Sequence, residues 1–170
     1  SPGKLIAHRW IRLKVTNVSC SVVKYSNVID VFVRDSINAG SIIASTSEIC
    51  YNTGTNLSLA KTSGGDSNYV YTWEQSTAGA NTWSGATGAK NSTSYSTGLL
   101  LVSHDYRVRV RSGCGVEDTS SISKVDVAKE FISGTISGVD TICYGSAALL
   151  TSTAFTGGRL PYSYQWQSKS

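Results

Sequence analysis

Apolar and polar residues alternate in short runs along the whole chain. The clearest alternating apolar positions are Leu13 and Val15; Ile29, Val31 and Val33; Leu57 and Leu59; Tyr69, Tyr71 and Trp73; Tyr106, Val108 and Val110; and Val125 and Val127. A period of two over several residues is typical of strands that bury one face. Clusters of Gly, Asn, Ser and Thr separate the runs, as expected for turns. The pattern predicts an all-β fold.

The chain also repeats itself with a period of about 93 residues. The matched pairs are Cys50 and Cys143, Trp73 and Trp166, Cys20 and Cys114, and Arg12 and Arg107, at offsets of 93, 93, 94 and 95 residues. A fixed period of this size is typical of domains arranged in tandem, and the small drift is that of a loop changing by one or two residues. We therefore expect a tandem array of similar β-domains.

The phase of the repeat divides the chain into three units. We expect one complete unit at 36–129, the C-terminal part of a unit at 1–35, and the N-terminal part of the next unit at 130–170. The chain is accordingly expected to be an excerpt of a longer polypeptide. Because a partial sandwich buries too little apolar area to order itself, more parent chain or a neighbouring subunit is expected to complete the partial units.

The complete unit has the size of an immunoglobulin-like β-sandwich, with about seven predicted strands. These strands are expected at 41–44, 56–61, 69–75, a short strand or turn carrying Trp83, 94–100, 105–111 and 122–127. Trp73 then lies on the third strand, where this architecture commonly has a core tryptophan, and Trp166 matches it in the next unit. Tyr106, near the start of the sixth strand, is the third predicted core aromatic, placed to anchor a corner.

Composition favours a secreted β-protein and weighs against two classes of partner. Only 15% of residues are charged, Pro occurs twice, and Ser and Thr are frequent. A net charge of +4 is too small to indicate nucleic-acid binding, and no nucleic-acid-binding motif accompanies it. No apolar run is long enough to span a membrane, so membrane attachment is expected only through an anchor outside these residues.

Six short motifs in a constant order carry a family resemblance. They are Ile-Cys-Tyr at 49–51, Gly-Gly at 64–65, Tyr-x-Tyr-x-Trp at 69–73, Thr-Trp-Ser-Gly-Ala-Thr at 82–87, Tyr-Arg-Val-Arg-Val at 106–110 and Ser-Gly-Cys at 112–114. Together they resemble the immunoglobulin-like repeats of giant Bacteroidota cell-surface adhesins, such as the SprB-type gliding adhesin. The resemblance implies export by type IX secretion, an extracellular position on the cell surface and many repeats in series. It does not identify a ligand.

Four cysteines leave the disulfide pairing open. A bridge within the complete unit joins Cys50 to Cys114 and leaves Cys20 and Cys143 to pair outside the chain. The alternative joins Cys20 to Cys50 and Cys114 to Cys143, with spacings of 30 and 29 residues. We favour the internal bridge, because the last strand of one domain and the first strand of the next run on in one direction and separate the other pairs.

Three arginines on one predicted strand form a candidate ligand-binding row. Arg107, Arg109 and Arg111 alternate with apolar residues and therefore share one face. Such a row, repeated along an array, suits an acidic polysaccharide. The more ordinary interpretation is a solvated sheet face whose charges pair across strands. The candidate partners are Glu74, Asp126 and Asp30.

Other candidate functions rest on single residues. Trp83, in a turn-rich stretch, is a candidate sugar-stacking residue, although core or edge packing is the simpler role. Ser36 and Thr141 lie in Asp-Ser and Asp-Thr motifs followed by an apolar residue, which resemble Bacteroidota O-glycosylation sites. No catalytic motif, cofactor motif or closely spaced set of metal ligands is visible, so we expect neither an enzyme nor a metal or cofactor.

The sequence thus predicts a repeat region of a secreted adhesin or filament, which serves as a stalk and for multivalent attachment during gliding, biofilm formation or host contact. Its partners are neighbouring repeats or adjacent subunits, and a polysaccharide or other surface. Two alternatives stay open. One is a carbohydrate-binding accessory region of a secreted polysaccharide-degrading enzyme. The other is a short filament subunit whose half-domains are completed by its neighbours.

Overall fold

The computed structural model describes residues 3–169, and in that range the chain forms strands, turns and loops without a helix. The fold is all-β, as predicted. Since the described residues form no helix, they contain none that is long and apolar enough to cross a bilayer. Ser1, Pro2 and Ser170, at the ends of the first and third predicted units, lie outside the described residues.

The first unit contains two antiparallel strand pairs. Its strands are β1 (Arg9–Ile11), β2 (Lys14–Asn17), β3 (Val22–Tyr25) and β4 (Ile29–Val31). Strand β1 pairs with β4, and β2 pairs with β3. Most residues of these strands are exposed, so the first unit has no apolar core of its own.

The second unit has two sheets in a sandwich-like arrangement. Its strands are β5 (Ser41–Ala44), β6 (Glu48–Ile49), β7 (Asn56–Ala60), β8 (Tyr69–Thr77), β9 (Ser84–Gly85), β10 (Ser94–Ser96), β11 (His104–Ser112), β12 (Glu117–Thr119) and β13 (Ser123–Val127). One sheet has the order β10-β7-β5. The other has the order β6-β13-β11-β8-β9, with β12 paired to β11.

The core of the protein lies between these two sheets. Its fully buried large side chains are Trp73, Tyr106, Leu57, Val108, Val110 and Val125. These residues come from alternate positions of β7, β8, β11 and β13, because successive side chains of a strand point to opposite faces. Strands β8 and β11 pair along their whole nine-residue length and form the central pair of the larger sheet.

The predicted strands of the second unit are present, with small differences in their bounds. The strand expected at 94–100 ends at Ser96, and the short strand expected to carry Trp83 begins at the next residue. Strands β6 and β12 were not predicted, because strands of two or three residues are too short to show a period of two.

The third unit contains one antiparallel pair, β14 (Ile136–Gly138) and β15 (Leu150–Ser152). Its pairing reproduces that of β5 and β7, since Ile136 faces Ser152 as Ile42 faces Leu59. Ile136 lies 94 positions after Ile42, and Ser152 lies 93 positions after Leu59. The sequence repeat is therefore also a repeat of strand register.

Backbone and side-chain hydrogen bonds repeat with the same period. The matched bonds are Gly65 N to Asp35 O at 2.9 Å and Gly158 N to Lys129 O at 2.8 Å; Tyr69 Oη to Gly64 O and Tyr162 Oη to Gly157 O; and Thr53 N to Cys50 O and Ser146 N to Cys143 O. In the first unit, the pairing of Arg9 with Val31 corresponds to that of His104 with Val125. The three units are thus built from one structural template.

The third unit exposes apolar residues whose counterparts in the second unit are buried. Leu150 is 44% exposed and Trp166 is 61% exposed, whereas Leu57 and Trp73 are each 1% exposed. In the second unit, Tyr95 on β10 stacks on Trp73 with a ring-centroid separation of 5.4 Å. Residues 130–169 contain no counterpart of β10. The core role of Trp166 therefore stays a prediction for a third unit that is completed by further strands.

Candidate functional site

The alternation of β11 places its arginines on the outer face of the larger sheet. Val108 and Val110 are fully buried, while the intervening side chains of Arg107, Arg109 and Arg111 are 28%, 47% and 61% exposed. Exposure increases towards the C-terminal end of the strand. The three guanidinium groups therefore form a row, which we call the arginine face.

Two glutamates pair with the arginine face from the neighbouring strands. Glu74 on β8 is directly opposite Arg107, and its side chain is only 12% exposed. Its carboxylate accepts a hydrogen bond from Nε of Arg107 at 2.7 Å and forms an ion pair with Arg109, whose Nε lies 2.9 Å away. Glu117 on β12 lies 3.9 Å from both Arg109 and Arg111. The cross-strand interpretation of the arginines thus has a structural basis at Glu74.

The other two candidate partners of the arginines pair elsewhere. Asp126 lies 2.6 Å from the amine of Lys124, and this contact raises the pKa of that lysine. Asp30 pairs with His8 in the first unit. Neither carboxylate contributes to the arginine face.

Trp83 lies beside the arginine face and is half-buried. The guanidinium carbon of Arg107 lies 4.2 Å from the centroid of the Trp83 ring, a cation–π contact. The guanidinium thus covers one face of the indole. A sugar that stacked on that face would have to displace a cation already held by Glu74.

The core aromatics differ in how their polar atoms are satisfied. Trp73 donates from Nε1 to the carbonyl oxygen of Ser92 at 2.8 Å. Tyr106 is fully buried, and its hydroxyl has no hydrogen-bond partner among the described residues. Burial, with a smaller contribution from Tyr95, raises the pKa of Tyr106. Among the described residues, Tyr106 therefore does not anchor a corner through a hydrogen bond of its hydroxyl. Its ring contributes by packing in the core.

All four cysteines are exposed free thiols. Cys50 directly follows β6, which pairs with the end of β13, whereas Cys114 lies in the turn that follows β11. Because β13 pairs with the opposite end of β11, these two cysteines are separated by the length of a nine-residue strand, about 26 Å. A disulfide requires Cα atoms within about 7 Å. The predicted Cys50–Cys114 bridge is therefore wrong.

The alternative pairings of Cys20 with Cys50 and of Cys114 with Cys143 are also not formed. Cys20 lies in the β2–β3 turn, the counterpart of the β11–β12 turn that holds Cys114. Cys143 lies in a turn that matches that of Cys50. The second unit thus carries its two types of cysteine at opposite ends, and the first and third units each hold one of the two types.

The second and third units contact each other at the end that holds Cys50. A groove there is lined by Cys50, Tyr51, Asn52, Lys129, Glu130, Phe131, Gly158, Arg159 and Tyr162. Arg159 pairs with Glu48, which anchors the third unit to the strand that precedes Cys50. Tyr51 is half-buried at this junction, whereas its counterpart Tyr144 is fully exposed.

The opposite end of the second unit is organised by Asp66. Its Oδ1 accepts from the backbone N–H groups of Asn68 at 3.1 Å and Gly113 at 3.0 Å. Desolvation acts to raise the pKa of Asp66, but the hydrogen bonds from the backbone of Asn68, Gly113 and Asp66 itself and from the Asn68 side chain together outweigh it, so the pKa is lowered. Sequence reasoning missed Asp66 and Arg159, although the period aligns them. Their opposite charges mark a position where successive repeats differ.

The remaining predicted positions are accessible but not clustered. Ser36 and Thr141 are both exposed, as an O-glycosylation site has to be. Between residues 3 and 169, no three His, Cys, Asp or Glu side chains are grouped so as to hold a metal ion.

These features define a class of protein: all-β, sandwich-like units in tandem, with a charge-paired outer face and contacts at their ends. The family described as Domain of unknown function (DUF8696) matches residues 38–129, more than half of the chain. The chain belongs to this family. No curated protein and no solved structure matches it.

Proposed function

We propose that the chain is a repeat region of a large secreted cell-surface adhesin or filament, with immunoglobulin-like units that form a stalk and provide multivalent attachment. The observation that carries the proposal is the junction of the second and third units, where one repeat contacts the next end to end through Glu48 and Arg159. Contacts at opposite ends of a unit let repeats add lengthwise, and stability then accumulates along the array.

The order of the strands supports the immunoglobulin-like interpretation. In this interpretation, strands β5, β7 and β10 of the smaller sheet are assigned to strands A, B and E. Strands β8, β11 and β13 correspond to C, F and G in the other. Trp73 lies on the strand that corresponds to C, with its ring between the sheets.

Attachment in this proposal is weak for one unit and strong for many. Arg109 and Arg111 are the most exposed members of the arginine face, so they are the residues available to an acidic surface polysaccharide. Glu117 lies 3.9 Å from each of them, and pairs that are this long and exposed contribute little energy. Arg109 also pairs with Glu74 at 2.9 Å, so Arg111 is the less constrained of the two. Repetition along an array multiplies such contacts into avidity. The proposal includes no catalysis and no cofactor.

The test combines accessibility with mass. An antibody against residues 36–129 is used on intact source cells, and the denatured, reduced polypeptide that it recognises is then sized. We expect surface labelling and a mass of hundreds of kilodaltons. Labelling only after cell lysis would overturn the surface position, and a reduced mass near the 18.1 kDa of this chain would overturn the long tandem array.

One observation favours a second candidate, a filament of short subunits. The first and third units expose complementary apolar faces, since Val15 is 54% exposed while its counterpart Val110 is buried, and Trp166 is 61% exposed. The first unit contains counterparts of β11 to β13, and the third contains counterparts of β5 and β7. A mass near that of the chain would favour this candidate, because neighbouring subunits would then complete both faces.

A further inference from the structure

The complete second unit carries one exposed cysteine at each of its two ends. At the C-terminal end of the second unit, Cys50 follows Ile49, whose carbonyl accepts from the N–H of Ala128 at 2.9 Å. At the N-terminal end, Cys114 follows Gly113, whose N–H donates to Asp66 at 3.0 Å. The two thiols of one unit thus face different neighbours in an end-to-end array.

The junction with the third unit shows what faces Cys50. Cys50 shares its groove with Gly158 and Arg159 of the third unit. The counterparts of these two residues in the second unit are Gly65 and Asp66, at an offset of 93 residues.

In the second unit, the turn that carries Cys114 packs against that same Gly-Asp pair. Asp66 accepts from Gly113, and a Cβ built on Gly65 would lie 2.9 Å from the Cβ of Ser112. In a third unit completed on this template, the Ser-Gly-Cys turn therefore comes to lie against Gly158 and Arg159. This position is beside the groove that Cys50 lines.

We propose that Cys50 forms a disulfide with the counterpart of Cys114 in the following repeat, and that Cys114 forms one with the counterpart of Cys50 in the preceding repeat. The cysteine that would pair with Cys50 falls about 94 residues after Cys114, beyond the last residue of this chain. This inference rests on the proposed tandem array. A disulfide would then link the two repeats at every junction of such an array, and we call this inter-repeat disulfide the staple.

The chemistry of the staple is ordinary thiol oxidation. As the S–S bond forms, the two thiols lose two protons and two electrons to a disulfide oxidant, such as oxidised glutathione or a disulfide exchange enzyme. The oxidant is reduced to two thiols and takes up both protons. Exposure of Cys50 and Cys114 provides the access that disulfide exchange requires.

The test is a disulfide map of the native protein from intact cells, alkylated before lysis and digested with trypsin without reduction. Cys50 is the only cysteine of tryptic residues 35–61, and Cys114 is the only cysteine of residues 112–124. We expect residues 35–61 to be linked to the Ser-Gly-Cys peptide of the following repeat. A link to residues 112–124 of the same chain, or alkylated free thiols, would overturn the staple.

A pair of matched variants in the native gene gives the sharper answer. Under the staple, Cys50→Ser frees a thiol in the following repeat, and Cys114→Ser frees one in the preceding repeat. A bridge within the unit predicts instead that Cys50→Ser frees Cys114. Identification of the newly alkylated peptide separates the two pairings, and each variant is the control for the other.

Stretching single native molecules gives an independent readout. With staples, the shortest covalent path through each repeat runs between Cys50 and Cys114, which is 64 residues, instead of about 93 residues after reduction. We therefore expect the extended length per repeat to increase about 1.5-fold on reduction, because length is proportional to residue number. An increase of about 3-fold would indicate the internal bridge, which leaves about 29 residues extensible. No change would indicate free thiols.

The failures of the two proposals are distinguishable. The reduced mass tests the array, and the disulfide map tests the staple. A mass near 18.1 kDa with residues 35–61 linked to residues 112–124 of another molecule would remove the single-chain array. It would keep the end-to-end disulfide as a link between subunits. A giant polypeptide with free thiols would keep the array and remove the staple.

Discussion

The guanidinium of Arg107 lies 4.2 Å from the centroid of the Trp83 ring. A cation over an indole at a partly exposed site stabilises a protein by about 0.5–1 kcal/mol. We expect a double-mutant cycle of Arg107→Gln and Trp83→Ala to give a coupling of this size in urea unfolding. The control cycle combines Arg111→Gln with Trp83→Ala. Arg111 pairs with Glu117, so its coupling energy with Trp83 should be nearly zero.

Trp83 also separates the adhesin proposal from a carbohydrate-binding accessory region. Since Arg107 covers one face of the indole, we expect binding of the chain to acidic polysaccharide to be unchanged by Trp83→Ala. Loss of Arg109 and Arg111 together should weaken it. Affinity electrophoresis in polysaccharide-containing gels measures both effects. Abolition of binding by Trp83→Ala alone would favour the accessory-region alternative.

Glu74 is expected to be the energetically important carboxylate of the arginine face. It accepts a charge-assisted hydrogen bond from Arg107, forms an ion pair with Arg109 and is 12% exposed, so Glu74→Gln should lower the free energy of unfolding by about 1.5–3 kcal/mol. Glu117 is 47% exposed with contacts of 3.9 Å, so the control Glu117→Gln should change it by less than about 0.5 kcal/mol. Equal effects in urea unfolding would contradict this difference.

Trp73 and Trp166 occupy matching sequence positions but different environments. Trp73→Ala should cost about 3–5 kcal/mol, because it opens a cavity between the sheets. Trp166→Ala should cost less than about 0.5 kcal/mol in this chain, since Trp166 is 61% exposed. If Trp73→Ala does not fold, Trp73→Phe removes the hydrogen bond to Ser92 and should cost about 1–3 kcal/mol. Circular dichroism in urea measures all three.

The turn that holds Cys114 should be sensitive to acid. The lowered pKa of Asp66 means that the folded state favours the carboxylate. Its stabilisation is therefore present above the ordinary aspartate pKa, about 3.9, and is lost as the pH falls through the lower folded value. A carboxyl NMR titration should find Asp66 below 3.8. Asp66→Asn should remove this part of the acid dependence, and an unchanged profile would contradict the assignment.

Much of the fold was predictable from local pattern. The period of two located the long strands β8 and β11, because one face of each is buried and the other faces outwards. Trp73 was predictable as a core residue for the same reason. Strands β6 and β12 were not, since two or three residues show no period of two, and β6 in addition pairs with β13, which is distant in sequence.

The candidate site was predictable only in part. Alternation alone aligned the arginines of β11, and Glu74 was among their expected partners. The cover that Arg107 places on Trp83 depends on the pairing of β9 with β8, the neighbour of β11, and sequence spacing does not contain this pairing. The contact of Glu48 with Arg159 joins residues 111 positions apart. No local signal reports such a pairing.

By itself, the sequence determined the all-β class, the period of about 93 residues and the alternation that separates core from arginine face, because each is encoded by neighbours or by direct repetition along the chain. Tertiary structure decided which cysteines can meet. Cys50 and Cys114 belong to one repeat, yet sheet pairing carries them to opposite ends of a nine-residue strand. Distance in space follows from the order of strands in a sheet, whereas sequence spacing records only the length of chain between two residues.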